Sequence, residues 1–119
     1  MLKGSIKYSI KDREETNIIV VDGSFFHLGN ISKDKMIVKT VSQDKVVLSI
    51  EKGEDSVLRL VGKNGEETRY LGIENGSTLE IKVGDKIEFA WYDSSIDPML
   101  ITPILLELVS ISEINNFRL

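Results

Sequence analysis

The sequence predicts an all-β fold: an antiparallel β-sandwich of about ten short strands, with a jelly roll as one variant. Three observations predict it. Apolar and polar residues alternate along short segments, which is the period of a half-buried strand. Turn dipeptides containing glycine, asparagine or aspartate separate these segments at intervals of about 8–12 residues. The length of 119 residues suits one core, so we expect a single domain over residues 1–119.

The first quarter of the chain contains three segments with strand character. Residues 5–11 alternate between apolar and polar side chains, as a half-buried strand does. Residues 18–21 are a continuous β-branched run, typical of a central strand covered on both faces. Asp22-Gly23 is a two-residue hairpin signal, so residues 24–28 are expected to return as the next strand.

The middle of the chain repeats the pattern of strand and turn. Residues 35–41 and 45–52 are expected to pair around a polar turn, and a further strand is expected over residues 57–61. Asn64-Gly65 is a strong hairpin signal, and Asn75-Gly76 has the same turn chemistry.

Two further segments alternate clearly. Over residues 78–83 the alternation places Leu79, Ile81 and Val83 inward, and over residues 86–93 it places Ile87, Phe89 and Trp91 on one face. The predicted central strands are 18–21 and 87–91. The predicted core comprises Ile6, Ile19, Val38, Leu48, Leu60, Ile81, Phe89, Trp91 and Leu106.

Residues 98–114 allow two interpretations. Thr102-Pro103 could be the N-cap and first position of a short C-terminal helix. Residues 104–111 end in strand-like alternation, and proline also suits the first residue of a strand. We favour the strand over residues 103–114 and keep the short helix as the alternative.

Composition narrows the classes of function. The chain has one histidine and no cysteine, so it offers no thiol nucleophile and no cysteine or multi-histidine metal site. We therefore expect no catalytic residues, no metal and no cofactor. The net charge of −4 opposes nucleic-acid binding and favours a basic protein partner, if any. No run of apolar residues reaches the length of a membrane span, so we expect no membrane partner.

Five residues are the candidates for a binding site. If Trp91 faces the core, Tyr92 faces outward beside the loop that carries Asp93 and Asp97. An exposed aromatic side chain near acids and hydroxyls suits a protein hot spot or stacking on a sugar ring. Two aspartates are too few for calcium, and their turn chemistry is the plainer interpretation. Phe25 and His27, on the strand after Asp22-Gly23, complete the set.

The function predicted from these residues is a non-catalytic protein-interaction domain in a bacterial-type cytoplasm, of the toxin-neutralising, adaptor or assembly-subunit type. An exposed sheet edge would also allow a homo-oligomer. A carbohydrate-binding module is the alternative, with Tyr92 or Phe25 stacking on sugar, and a small hydrolase using carboxylates brought together in space is the third. The cytoplasm is expected because cysteine is absent and the N-terminal residues lack the features of a signal peptide, unless one has been removed.

Overall fold

In the computed structural model, which describes residues 1–10, 15–28, 34–95 and 101–114, every regular element is a β-strand. The ten strands are β1 (Leu2–Ile10), β2 (Thr16–Val20), β3 (Phe25–His27), β4 (Lys35–Val41), β5 (Lys45–Glu51), β6 (Ser56–Lys63), β7 (Glu66–Gly72), β8 (Thr78–Lys82), β9 (Lys86–Asp93) and β10 (Thr102–Glu113). The predicted all-β class is therefore confirmed.

The strands form two antiparallel sheets that pack as a β-sandwich. The larger sheet has the order β2-β1-β10-β9-β6-β7, and the smaller has the order β3-β4-β5-β8. Five connections join neighbours in one sheet, namely β1–β2, β3–β4, β4–β5, β6–β7 and β9–β10. This order is built from hairpins rather than from the paired Greek keys of a jelly roll.

The core lies between the inner faces of the two sheets. Of the predicted core residues, Leu60 and Trp91 are partly buried against the cluster, and those that are fully buried are Ile6, Val38, Leu48, Ile81, Phe89 and Leu106. The alternation of apolar and polar residues predicted these core positions correctly because successive side chains of a strand point to opposite faces of the sheet, and one face of the strands that carry them lies on the core.

The prediction that residues 18–21 form a central strand is wrong. Among the described strands, β2 lies at the edge of the larger sheet and pairs with β1 alone. Ile19 is 58% exposed instead of buried, because it faces outward in register with Ser5. Val83, also predicted to face inward, is 46% exposed because β8 ends at Lys82 and Val83 belongs to the following turn.

Two turn dipeptides with the same chemistry have different roles. Asn64 and Gly65 have φ angles of 55° and 82°, and they close the β6–β7 hairpin as predicted. Gly23 also has a positive φ of 81°, but Asp22-Gly23 carries the chain from β2 in one sheet to β3 in the other. The predicted hairpin at Asp22-Gly23 is therefore wrong. Asn75-Gly76 similarly connects β7 to β8 across the two sheets.

The C-terminal segment is a strand, as favoured. Strand β10 lies between β1 and β9, with Pro103 in register with Ala90 of β9. The alternative short helix is wrong, since residues 101–114 contain no helical turn. Central placement of β9, with β10 on one side and β6 on the other, confirms the prediction for residues 87–91.

Candidate functional site

Phe25 and His27 lie together on the outer face of strand β3. Phe26 between them is buried and contacts the Tyr8 ring, so its two neighbours point to the opposite side. The Phe25 and His27 rings are edge to face, with centroids 5.7 Å apart, and Phe25 is 57% exposed. The ammonium group of Lys35 lies 5.1 Å from the centroid of the Phe25 ring, a cation–π contact.

Tyr92 and Asp93 lie on the other sheet, at the end of β9. Tyr92 is half-buried on the outer face, in register with Val57 of β6. The Asp93 Oδ1 atom accepts hydrogen bonds from the Ser95 N–H at 2.9 Å and from the Ser95 hydroxyl at 2.6 Å. Asp93 thus forms the turn that its sequence context predicts. Asp97 lies outside the described residues, and the other four candidates do not converge on one site.

The polar residues before His27 have structural partners. The Asp22 Oδ1 atom accepts the Val41 N–H at 2.6 Å, which ties the β2–β3 connection to the end of β4. The Ser24 hydroxyl donates to the Val21 carbonyl at 2.7 Å and accepts from the Val21 N–H at 3.0 Å. These bonds hold the crossover between the sheets, and they do not orient His27 as a general base. Within the described residues, histidine and the carboxylates form no cluster of three suited to a metal ion.

One important residue was missed by the sequence reasoning. Asp34 is 0% exposed, and its carboxylate accepts the Trp91 indole N–H at 2.8 Å and the Gly53 N–H at 2.6 Å. It therefore joins the start of β4, the β5–β6 connection and β9. In the sequence Asp34 lies between two lysines, a context that suggests a solvated turn, so only the fold reveals its burial.

A shallow groove of about 290 Å³ lies on the outer face of the larger sheet. Ser9, Glu88, Pro103 and Leu105 line it, and Ile104 contributes as well. Pro103 is exposed and Leu105 is half-buried, so the floor is mainly apolar with one carboxylate at its side. The groove is open and offers no enclosed site for a small ligand.

The edges of the two sheets differ in charge. Strands β2 and β3 contain no Asp, Glu, Lys or Arg, whereas β7 contains Glu66 and Glu67 and β8 contains Glu80 and Lys82. Charged side chains on an edge strand discourage pairing with another chain, so β7 and β8 are protected and β2 is not. Only residues 21–24 connect β2 to β3, which places these two edge strands on the same side of the sandwich. We call this pair of strands the β2/β3 edge.

Lysines flank the β2/β3 edge. The strands next to it, β1 and β4, carry no acid within their bounds, and their lysines, here called the edge lysines, are Lys3, Lys7, Lys35 and Lys39. The ion pairs of the described residues are Lys45–Glu80, Lys63–Asp85 and Lys86–Glu107, and none of them involves β1 to β4. The edge lysines therefore lack an ion-pair partner among the described residues, in a chain whose net charge is −4.

The ion pair at the opposite edge shifts the pKa values of both its partners, Glu80 and Lys45. The pKa of Glu80 is lowered, first by the hydrogen bond from Lys45 and then by the charge of that lysine, and the pKa of Lys45 is raised by the same contact. Their Nζ–Oε1 distance is 2.6 Å. Such exposed ion pairs add little stability to the fold. Their charged groups are already paired, so they are not available to pair with another chain.

Comparisons of the chain with models of known protein families, with curated proteins and with solved structures gave no match. The described part of the chain contains no helix long and apolar enough to cross a membrane.

Proposed function

We propose that the protein is a non-catalytic protein-interaction module that binds its partner at the β2/β3 edge. The observation that carries the proposal is the contrast between the edges: β2 and β3 are uncharged and expose Ile19 and Phe25, whereas β7 and β8 carry charges. An uncharged edge strand with an exposed β-branched residue is the kind of surface to which another chain adds a strand.

The two strands of the edge have separate roles in this proposal. Strand β2 is five residues long and its outer side pairs with no strand of the described chain, so it provides backbone hydrogen bonds to the partner. Strand β3 has three residues, too few for an extended ladder, and provides Phe25 as an aromatic anchor. Tyr92 and Asp93 are on β9, which β1 and β10 separate from β2, and they play no part in the proposed surface.

The compartment we propose is the cytoplasm, because a fold without cysteine needs no oxidising environment. The whole-chain charge favoured a basic partner, but the local charge beside the β2/β3 edge is positive. Whatever the charge of the partner, the proposal predicts that it contacts Ile19, and this contact can be tested.

Two matched variants test the proposal. Ile19→Asp places a charge on β2, and Val83→Asp places the same charge on another exposed apolar residue, directly after β8, which is at the opposite end of the smaller sheet from β3. Both positions are exposed, so each change in stability is expected to stay within about 0.5 kcal/mol. Tagged wild type and both variants are used to capture proteins from a lysate of the source organism. We expect a stoichiometric partner with wild type and Val83→Asp, and its loss with Ile19→Asp. Retention with Ile19→Asp, or no partner at all, contradicts the proposal.

Carbohydrate binding is the second candidate, and the exposed Phe25 ring favours it, since aromatic faces stack on sugars. The Lys35 ammonium group lies over one face of that ring and the His27 ring packs against it as well, which restricts the surface left for a ligand. A glycan array with wild type and Phe25→Ala separates the two functions. Saccharide binding that Phe25→Ala abolishes and Ile19→Asp leaves intact would replace the interaction module by the sugar-binding one.

A further inference from the structure

We propose that the occupant of the β2/β3 edge is an extended acidic segment of a protein partner, in which carboxylate and apolar residues alternate, and that it adds to β2 as a strand. This inference rests on the proposed function and specifies its partner. It follows from what each face of β2 offers to a strand lying beside it.

The inner face of β2 is apolar at Ile18 and Val20. Val20 is buried in register with Gly4, and Ile18 is partly buried in register with Ile6, so both face the core between the sheets. Because side chains alternate along a strand, every second residue of an added strand would face the same side. The residues of the added strand that lie next to Ile18 bury apolar surface only if they are themselves apolar.

The outer face of β2 is bordered by lysine. Asn17 and Ile19 face outward in register with Lys7 and Ser5 of β1, and Lys3 follows on the same face. A residue opposite Asn17 on an added strand lies two strand spacings, about 10 Å, from the Cα atom of Lys7. A glutamate there and the long lysine side chain can meet over Asn17. On the other side Lys7 is in register with Glu107, whose carboxylate lies 4.0 Å from the Lys86 ammonium group.

A second copy of the chain fits this edge less well. Strand β2 would present Asn17 and Ile19 to its own copy, with Glu15 just before the strand, so self-pairing would supply fewer carboxylates to Lys3 and Lys7 than an alternating acidic strand would. An acidic segment supplies the missing charge on the outer face and keeps the apolar contacts on the inner face. Charge complementarity thus selects the acidic strand over self-pairing.

The probe for this inference is a labelled octapeptide in which glutamate and valine alternate, compared with one in which lysine replaces glutamate. Binding to the full chain is measured by fluorescence anisotropy at low and at about 0.5 M salt, since exposed charges are screened at the higher salt. Hydrogen exchange of backbone amides locates the peptide. The test variant is Lys3→Gln/Lys7→Gln, and its control is Lys52→Gln/Lys82→Gln. The control also removes two lysines that have no ion-pair partner among the described residues, but these two lie in the β5–β6 connection and on β8.

We expect the glutamate peptide to bind at low salt and to protect β2 amides, with β7 and β8 unchanged. The Lys3→Gln/Lys7→Gln variant should bind about tenfold more weakly, as the loss of two ion pairs implies, and the control should bind as wild type does. Equal binding of both peptides, unchanged affinity of the test variant, or protection at another edge overturns the inference. The inference is also overturned if neither peptide binds, or if the protein self-associates with increasing concentration instead of binding the peptide.

Failure of this inference and failure of the proposed function give different results. A partner that depends on Ile19 but not on Lys3 and Lys7 leaves the interaction module standing and rules out the acidic strand. A partner that does not depend on Ile19 removes the β2/β3 edge itself, and the peptide proposal with it.

Discussion

Gly62, on β6, lies against the backbone of its hairpin partner β7. A Cβ atom at position 62 would be 2.9 Å from the carbonyl oxygen of Glu66, a backbone atom that cannot move without disturbing the hairpin. We therefore predict that Gly62→Ala destabilises the fold by about 1–3 kcal/mol, as overpacking does. Gly72, in the same hairpin, serves as the control, because a Cβ atom added there would meet no atom within 4 Å. Urea unfolding checks both variants, and equal effects would contradict the prediction.

The buried Asp34 carboxylate accepts the hydrogen bonds that join the start of β4, the β5–β6 connection and β9. In Asp34→Asn one acceptor oxygen is replaced by an NH₂ group, which would face the N–H of either Trp91 or Gly53. We predict a loss of about 1–3 kcal/mol in the free energy of unfolding, because a buried donor is left without an acceptor. Trp91→Phe keeps much of the packing and removes the indole donor. If the indole–carboxylate bond matters, the double variant should lose less than the sum of the two single losses. Strict additivity would contradict that interpretation.

At the scale of elements, the turn between β6 and β7 contacts the turn between β8 and β9. The Asp85 Oδ1 atom accepts the Asn64 side-chain N–H at 2.9 Å, and its Oδ2 atom accepts the Lys82 N–H at 2.9 Å. These two hydrogen bonds, the Asn64 bond first, lower the pKa of Asp85 below its ordinary value of 3.8. A lowered folded-state pKa contributes stability that is present above the ordinary pKa and is lost as the pH falls through the folded-state pKa.

Asn64→Gly tests this coupling between turns, since glycine keeps the positive φ of 55° but removes the side chain. We predict that the variant is less stable than wild type at neutral pH, and that the difference shrinks as the pH falls below the ordinary pKa of Asp85. The part that persists in acid reflects the bond from the Lys86 N–H to the Asn64 Oδ1 atom. Unfolding midpoints across the acid range measure the difference, and a gap independent of pH would contradict the prediction.

Local sequence predicts well where the strands lie along the chain, but it predicts poorly which strands lie next to each other in the sheets. Asn64-Gly65 and Asp22-Gly23 have equivalent turn chemistry, yet only Asn64-Gly65 closes a hairpin. Turn residues fix the local φ angles, whereas long-range strand order decides which sheet each flanking strand joins. For the same reason the β-branched run 18–21 was correctly predicted as extended and wrongly as central.

Across the whole molecule, the candidate site follows from strand order rather than from any motif. Phe25 and His27 were predicted from sequence as binding residues, and the structure brings them together on β3. Ile19 and the edge lysines could not have been predicted, because nothing in their local sequence says that β2 and β3 end their sheets or that β1 and β4 lie next to them. The resulting charge asymmetry, basic beside the β2/β3 edge in a chain of net charge −4, exists only after folding.

Site-specific photo-crosslinking is the most direct test of the β2/β3 edge as the docking surface. A photoreactive amino acid is placed at Asn17 on β2 in one variant and at Glu80 on the opposite edge strand β8 in another, both exposed positions. After irradiation in a lysate of the source organism, we expect one discrete partner adduct from position 17 and none from position 80. Adducts from position 80 alone, or equal adducts from both positions, would contradict docking at the β2/β3 edge.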